Sequence, residues 1–286
     1  MIERPVEAPA YGQVRIIVRA AGVNPLDWKL RSGKAPFIRV DFPVVPGGEV
    51  AGVVDAVGPG VTRFAVGDEV LGTTGVGGYA EQVLAPADTM AAKPAGLPWD
   101  VAGGLPIASN TAAYALGELG LTAGETLLID AAAGGVGTVA GQLALRAGAN
   151  VIGTASEANH EYLRLLGIQP VTYGEGLAER LRSIAPAGVD AALDASGRGG
   201  LPTLVAAAGG PQRVLTIADP DAQQHGVRFM STGSAGAAER IAVAATLAAQ
   251  GLLRLAIAGT YRLGEAVEAQ RVSEQGHVRG KLVIMP

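Results

Sequence analysis

The sequence predicts an α/β protein, in which a doubly wound parallel sheet is joined to a smaller β-rich domain. Three observations carry this. The 286 residues suffice for two domains at roughly 150 residues each. Short β-branched runs punctuated by Gly and Pro fill the first third. From residue 126 onward, apolar strand-like runs alternate with helical segments, the pattern of βαβ units.

Within the first third, residues 14–18 and 49–57 read as strands, the second ending in the turn Gly58-Pro59-Gly60. Residues 64–70 read as a turn and then a strand, and residues 79–84 alternate like a strand after Gly77-Gly78. The texture changes after about Pro98. Strands are expected at 126–129, 151–154, 170–173, 189–194, 213–217 and 227–230, with helices between them at 138–147, 161–166, 177–184 and 201–208. Two further helices, at 235–250 and 263–275, precede a last strand at 281–285. Aromatic residues make up only 4% of the chain, so the core is built from small aliphatic side chains.

Composition removes several function classes. With no cysteine there is no disulfide, thiolate nucleophile, iron–sulfur cluster or sulfur-ligated zinc. His160, His225 and His277 are scattered without ligand spacing, so no metal is expected. A net charge of −4, with Lys and Arg spread along the chain, offers no basic stripe for nucleic acid. The opening Met1-Ile2-Glu3-Arg4-Pro5 lacks a signal-peptide pattern. The most apolar long window, 241–259, is interrupted by Gln250 and Arg254 and suits a packed helix better than a membrane span. A soluble cytoplasmic protein is the expectation, with neither membrane nor nucleic acid as partner.

The most informative segment runs from Leu128 to Ala140. A strand leads into Ala131-Ala132-Ala133-Gly134-Gly135-Val136-Gly137, and a helix with an apolar face of Val136, Val139, Ala140 and Leu143 leads out. That is the context of a dinucleotide fingerprint. Small residues let the backbone approach a pyrophosphate, Gly137 lets the helix lie close to the sheet, and the helix N-terminus supplies amide donors. Ala133, Gly134, Gly135, Val136 and Gly137 are the expected cradle, the alternative being a tight structural turn. At the end of the next strand, after Thr154, Ser156 takes the place of the acid that would bind a free ribose. A hydroxyl tolerates a 2′-phosphate that a carboxylate would repel. Glu157 is adjacent, and the plainer reading is that Ser156 caps the following helix. Tyr173, ending the third strand, is placed to reach the same ribose.

The segments Ala21-Gly22-Val23-Asn24-Pro25-Leu26-Asp27, Pro46-Gly47-Gly48-Glu49-Val50-Ala51-Gly52, Val66-Gly67-Asp68-Glu69-Val70, Ala131 to Gly137, and Gly276-His277-Val278-Arg279-Gly280-Lys281 resemble, in that order, the medium-chain dehydrogenase/reductases. Within that family they look like the zinc-free quinone oxidoreductase branch. The resemblance implies a Rossmann-type cofactor domain and a GroES-like catalytic domain. It places Asn24 where zinc enzymes carry a ligand cysteine and Gly48 where they carry a histidine. The four-cysteine structural lobe is missing, with only residues 71–78 in its region. It also implies NADPH, with Ser156 and Tyr173 resembling the 2′-phosphate pocket and Asn159 or His160 standing where a Lys or Arg often follows the serine; Thr154 is counted among the cofactor-binding residues. Arg279 and Lys281 share one face of the last strand and are placed to touch cofactor phosphates, the alternative being a solvated edge. Relatives begin with an extra strand and hairpin, so the expectation is either a misassigned start or a catalytic domain that lacks an edge strand. The catalytic domain is expected to comprise residues 1–107 and 258–286, and the cofactor domain residues 108–257.

Three residues are candidates for catalysis. Asn24 has an amide able to donate and accept near the nicotinamide or substrate, or it closes the turn before Pro25. Thr111 resembles the family threonine facing the nicotinamide, or it starts a helix. Tyr79 is a proton donor to the product oxygen, or it packs in the β-rich domain. Asp27 reads as structural, and Trp28 and Lys29 as cleft-lining.

The expected function is hydride transfer from NADPH to a small-molecule quinone or α,β-unsaturated carbonyl. The alternatives are an NADPH-binding protein with a structural or regulatory role, and an enoyl-thioester reductase. The resemblance, together with the apolar residues 227–230 at a sheet edge guarded only by Arg228, points to a homodimer. The rival is that helix 235–250 covers that edge.

Overall fold

The computed structural model describes residues 7–35, 40–231 and 235–286; the opening residues 1–5 lie outside them. In chain order its helices and strands are β1 (Gln13–Val23), α1 (Pro25–Arg31), β2 (Glu49–Val57), β3 (Glu69–Thr73), β4 (Gln82–Pro86), β5 (Met90–Ala92), α2 (Trp99–Leu119), β6 (Thr126–Asp130), α3 (Gly135–Arg146), β7 (Asn150–Ala155), α4 (His160–Leu165), β8 (Gln169–Thr172), α5 (Leu177–Ile184), β9 (Ala191–Asp194), α6 (Leu201–Ala207), β10 (Val214–Thr216), β11 (Arg228–Phe229), α7 (Ala237–Ala249), β12 (Ile257–Arg262), α8 (Ala266–Gln275) and β13 (Lys281–Met285). Contacts divide the chain into two units: Met1–Asn110 with Ser234–Pro286, and Thr111–Gly233.

In the first unit β1 is the hub. It pairs antiparallel with β2, β4 and β13, in a sheet ordered β12-β13-β1-β2-β3-β5 with β4 off that path. Val14, Ile16 and Val18 are buried at alternate positions, as period-two patterning requires. They join Val50, Val54, Val70, Met90, Leu282 and Ile284 in one core. The expected strand at 79–84 begins only at Gln82, because the Tyr79 amide turns away to Pro46 O at 2.9 Å. Helix α7 packs on β3 and β5. Contacts therefore group it with this unit rather than with the segment 108–257 to which sequence reading assigned it.

The second unit is a six-stranded parallel sheet ordered β11-β10-β9-β6-β7-β8. The chain winds outward from β6 through β7 to β8, then returns to the other side of β6 with β9. The switch point therefore lies between β6 and β9, where such sheets bind ligands beyond the carboxyl ends of their strands. Leu127, Leu128, Ile129 and Leu193 are fully buried in the two central strands.

Four elements were not expected: α1, β5, α2 and β12. In α2, Gly103, Gly104 and Pro106 read as breakers, yet the helix continues through them. A Cβ on Gly103 would lie 2.8 Å from the Ala20 carbonyl carbon, so the glycine is what lets α2 lie against β1.

Candidate functional site

The loop after β6 has the geometry that small residues permit. Ala131 adopts a left-handed φ of 61°, unusual for a residue with a side chain. Gly134 is the N-cap of α3 in extended backbone, φ −75° and ψ 174°. A Cβ on Gly137 would stand 2.7 Å from Ala132 Cα and closer still to Ala131 O, so the first turn of α3 presses directly on the loop. The first-turn amides of α3 point outward without partners inside the helix.

Thr154 needs correction. Sequence reading put it on the cofactor, but its side chain is fully buried. Its hydroxyl accepts the Ala131 amide at 3.0 Å and donates to Asp130 Oδ1. It holds the strained residue of the loop from beneath.

Ser156 stands just beyond β7 at the N-cap position of a short 3-10 turn, without a side-chain bond to that turn's backbone. Its Oγ accepts from Asn159 Nδ2 at 3.2 Å. His160 Nε2 lies 3.5 Å from Thr172 Oγ1, and Tyr173 is half-exposed just beyond β8. These residues thus gather at the carboxyl ends of β7 and β8.

Sequence reading missed a second cluster. Asp130 ends β6 and Asp194 ends β9, side by side in register. Ser196 Oγ bridges them, 2.5 Å from Asp130 Oδ2 and 2.9 Å from Asp194 Oδ1. Thr216 Oγ1 donates to Asp194 Oδ2 at 2.7 Å. These bonds tie together the carboxyl ends of β6, β9 and β10.

The first unit holds a buried polar network around Asn24, the residue that caps α1. Asn24 Nδ2 donates to Glu49 Oε1 at 2.8 Å, and its backbone amide donates to Asp27 Oδ2 at 2.8 Å. Lys281 Nζ donates to Asn24 Oδ1 at 2.6 Å, to Glu49 Oε1 at 2.7 Å and to Val23 O at 3.1 Å. Glu49 Oε2 accepts the Ile107 amide at 2.6 Å, one residue past Pro106 in α2. Buried charges require partners of this kind.

This placement corrects the expectation for Lys281. Its ammonium is buried and spent inside the network rather than directed at phosphates. Nor do Arg279 and Lys281 share a strand face. Gly280, at φ 70°, turns the chain between an exposed Arg279 and a buried Lys281, and β13 begins only at Lys281.

Tyr79 packs in the core, and its hydroxyl donates to Asp27 Oδ2 at 2.8 Å. Burial, then the neighbouring Asp27 carboxylate, pushes its pKa far above the usual phenol range. It is therefore a poor proton source. Burial likewise raises Asp27 to about 6, opposed by the Asn24 amide, the Tyr79 hydroxyl and Lys281. Thr111 is buried in the interior of α2, not at a helix start. Its neighbour Asn110 accepts Arg240 Nε at 2.7 Å.

Two stretches of the chain match known families. The Alcohol dehydrogenase GroES-like domain family matches residues 10–95, and the Zinc-binding dehydrogenase family matches residues 166–284. The chain is 31% identical, over 100% of its length, to a chloroplastic quinone oxidoreductase of Triphysaria versicolor and spans 93% of that protein. It is 32% identical, over 96% of its length, to the 2-methylene-furan-3-one reductase of Solanum lycopersicum and spans 72% of it. It is 36% identical, again over 96% of its length, to a pikromycin polyketide synthase component of Streptomyces venezuelae, but spans only 8% of that protein. Among solved structures, a mycobacterial protein in complex with NADPH matches with a TM-score of 0.88 and 28% identity, over 100% of this chain and 94% of that one.

Proposed function

Because the chain belongs to the medium-chain dehydrogenase/reductases, in their quinone-oxidoreductase-like branch, we propose that it is an NADPH-dependent reductase. It passes a hydride to a quinone or an α,β-unsaturated carbonyl without a zinc ion. The observation that carries this reading is the loop at the switch point between β6 and β9. There Ala131 is left-handed and Gly137 has no room for a Cβ. The reductase of Solanum lycopersicum named above supports the enone class, since its named substrate carries a C=C bond conjugated to a ketone.

The residues fit NADPH. The backbone of Ala133, Gly134, Gly135, Val136 and Gly137 holds the pyrophosphate at the N-terminus of α3. Ser156, with His160 and Tyr173, receives the 2′-phosphate. When bound, the cofactor supplies a hydride from its nicotinamide.

The residues do not fit zinc. Gly48 has no ligand atom, and the Asn24 oxygen that a metal would need is held by the Lys281 ammonium at 2.6 Å. The protein instead orients the acceptor and excludes water. Asn24 keeps one Nδ2–H beyond its bond to Glu49. That hydrogen bonds to the acceptor's carbonyl oxygen and stabilises the negative charge that develops there. Thr111 is assigned to face the nicotinamide, and Asp27 and Tyr79 fix the backbone of Asn24 from behind.

A second reading, reduction of an enoyl thioester, is favoured by the similarity to the polyketide synthase. Lys29 and Lys34 flank the Trp28 ring at 5.9 and 5.4 Å, a cationic surface suited to an acidic carrier. The deciding experiment follows NADPH oxidation against quinones, enones and enoyl thioesters. Turnover with a quinone or enone is expected. Turnover with thioesters alone selects the second reading. Tight NADPH binding with no turnover on any acceptor would leave a structural or regulatory role.

A further inference from the structure

Asn24 does not choose freely how its amide faces. Its Oδ1 accepts from Lys281, and its Nδ2 donates to the same Glu49 oxygen that accepts from Lys281, so three side chains close a ring. The third ammonium hydrogen goes to Val23 O. Glu49 is fixed in turn by the Ile107 amide. Rotating the Asn24 amide by half a turn would face its NH2 group with an ammonium and its oxygen with a carboxylate. Both contacts are repulsive in a site where Lys281 is 4% and Glu49 0% exposed, because little water is there to screen them. The ring selects one orientation. It also polarises the amide, since an oxygen that accepts from a cation makes its own N–H a stronger donor.

Resting on the reading that Asn24 bonds to the acceptor, we infer that the Lys281–Glu49 ion pair is a positioning device. It locks the Asn24 amide so that one polarised N–H is presented to the acceptor carbonyl. Lys281 and Glu49 act only through Asn24.

The test uses the full chain and the variants Asn24→Ala, Lys281→Met, Lys281→Arg, Glu49→Gln and the double variant Asn24→Ala/Lys281→Met. For each, kcat and KM are measured for one quinone and one enone, with NADPH affinity by fluorescence and Tm alongside. Asn24→Ala is expected to lower kcat/KM by about 100- to 1,000-fold. Lys281→Met and Glu49→Gln should approach that loss, mostly in kcat and with NADPH affinity unchanged. Lys281→Arg should recover part of it. The double variant should be no worse than Asn24→Ala, because nothing is left to position. If Asn24→Ala alone keeps full kcat/KM, the assignment of Asn24 fails and the inference falls with it. If Asn24→Ala is impaired while folded Lys281→Met and Glu49→Gln keep wild-type kcat/KM, the inference alone is overturned. It is overturned in the same way if the losses at Asn24 and Lys281 multiply. Should Lys281→Met not fold, the nearly isosteric Glu49→Gln decides.

Discussion

Tyr79 donates its hydroxyl hydrogen to Asp27 Oδ2 across 2.8 Å, the same oxygen that accepts the Asn24 amide. Two neutral donors and the Lys281 ammonium do not offset the desolvation of a buried carboxylate, to which the Glu49 charge adds, so the Asp27 pKa rises from 3.8 to about 6. The folded state then binds this proton more tightly than the unfolded chain does. Stability from this group is highest below pH 4 and is lost as pH rises through 6, on the order of 3 kcal/mol in all. Asp27→Asn keeps one oxygen for both donors and cannot ionise. Melting temperatures at pH 4.5, 6 and 7.5 should show Asp27→Asn gaining on wild type as pH rises, and an unchanged difference across that range would refute the assignment.

The second unit carries the opposite dependence. Arg213 grips Glu125 with two bonds, of 2.5 and 2.9 Å, and also donates to the Leu119 carbonyl at the end of α2. The Arg213 side-chain bonds, helped by the Thr122 amide, lower Glu125 from 4.5 to about 2. Its contribution is present above pH 4.5 and is lost as pH falls toward 2. Arg213→Gln should therefore lower Tm at neutral pH and reduce the further loss between pH 4.5 and 2. The Glu125 carboxyl resonance followed by NMR should titrate near 2 in wild type and return toward 4.5 in the variant.

What the sequence made legible was local. The strand–loop–helix around Gly137, the alternation after residue 126 and the closing strand at 281–285 all follow from short patterns. The network around Asn24 was not legible, because Lys281 meets its partners across 232 to 258 residues of chain. One signal for Glu49 was present: an acid heading the apolar run 49–57 must find partners if it is buried. Thr154 misled because a hydroxyl near a strand end looks the same from the sequence whether it faces a ligand or a loop backbone. Helix α2 was hidden by glycines that serve close packing.

Gly137→Ala tests the loop directly. The new methyl would meet backbone atoms of Ala131 and Ala132, neither at the end of a flexible side chain. The helix must shift away from the loop, at about 1–3 kcal/mol. A drop in Tm together with weakened NADPH binding is expected. Wild-type values for both would show that the close approach is not needed.

Ser156→Asp tests cofactor choice. A carboxylate at the carboxyl end of β7 repels a 2′-phosphate but accepts a ribose hydroxyl. NADPH affinity should fall about tenfold, a change near 1.4 kcal/mol, while NADH affinity rises. Fluorescence titrations of both cofactors on both proteins give the comparison. Equal wild-type affinity for the two would remove Ser156 from the phosphate site.

The outer strand of the parallel sheet bears on assembly. β11 is two residues long and pairs with β10 on one side only, with no further strand beyond it among the described residues. Phe229 is 38% exposed there. Arg228, the one charge on this edge, is drawn to Glu118 at 2.6 Å and so is partly neutralised as a guard. An edge of this kind is hidden by pairing with its own copy about a two-fold axis, which makes an isologous interface. A homodimer is therefore expected from light scattering at micromolar protein. Phe229→Asp, which puts a second charge on the edge, should shift the mass toward the monomer without lowering NADPH affinity. A monomer mass for the wild-type chain would end this prediction. A dimer that Phe229→Asp leaves intact would move the interface to another face.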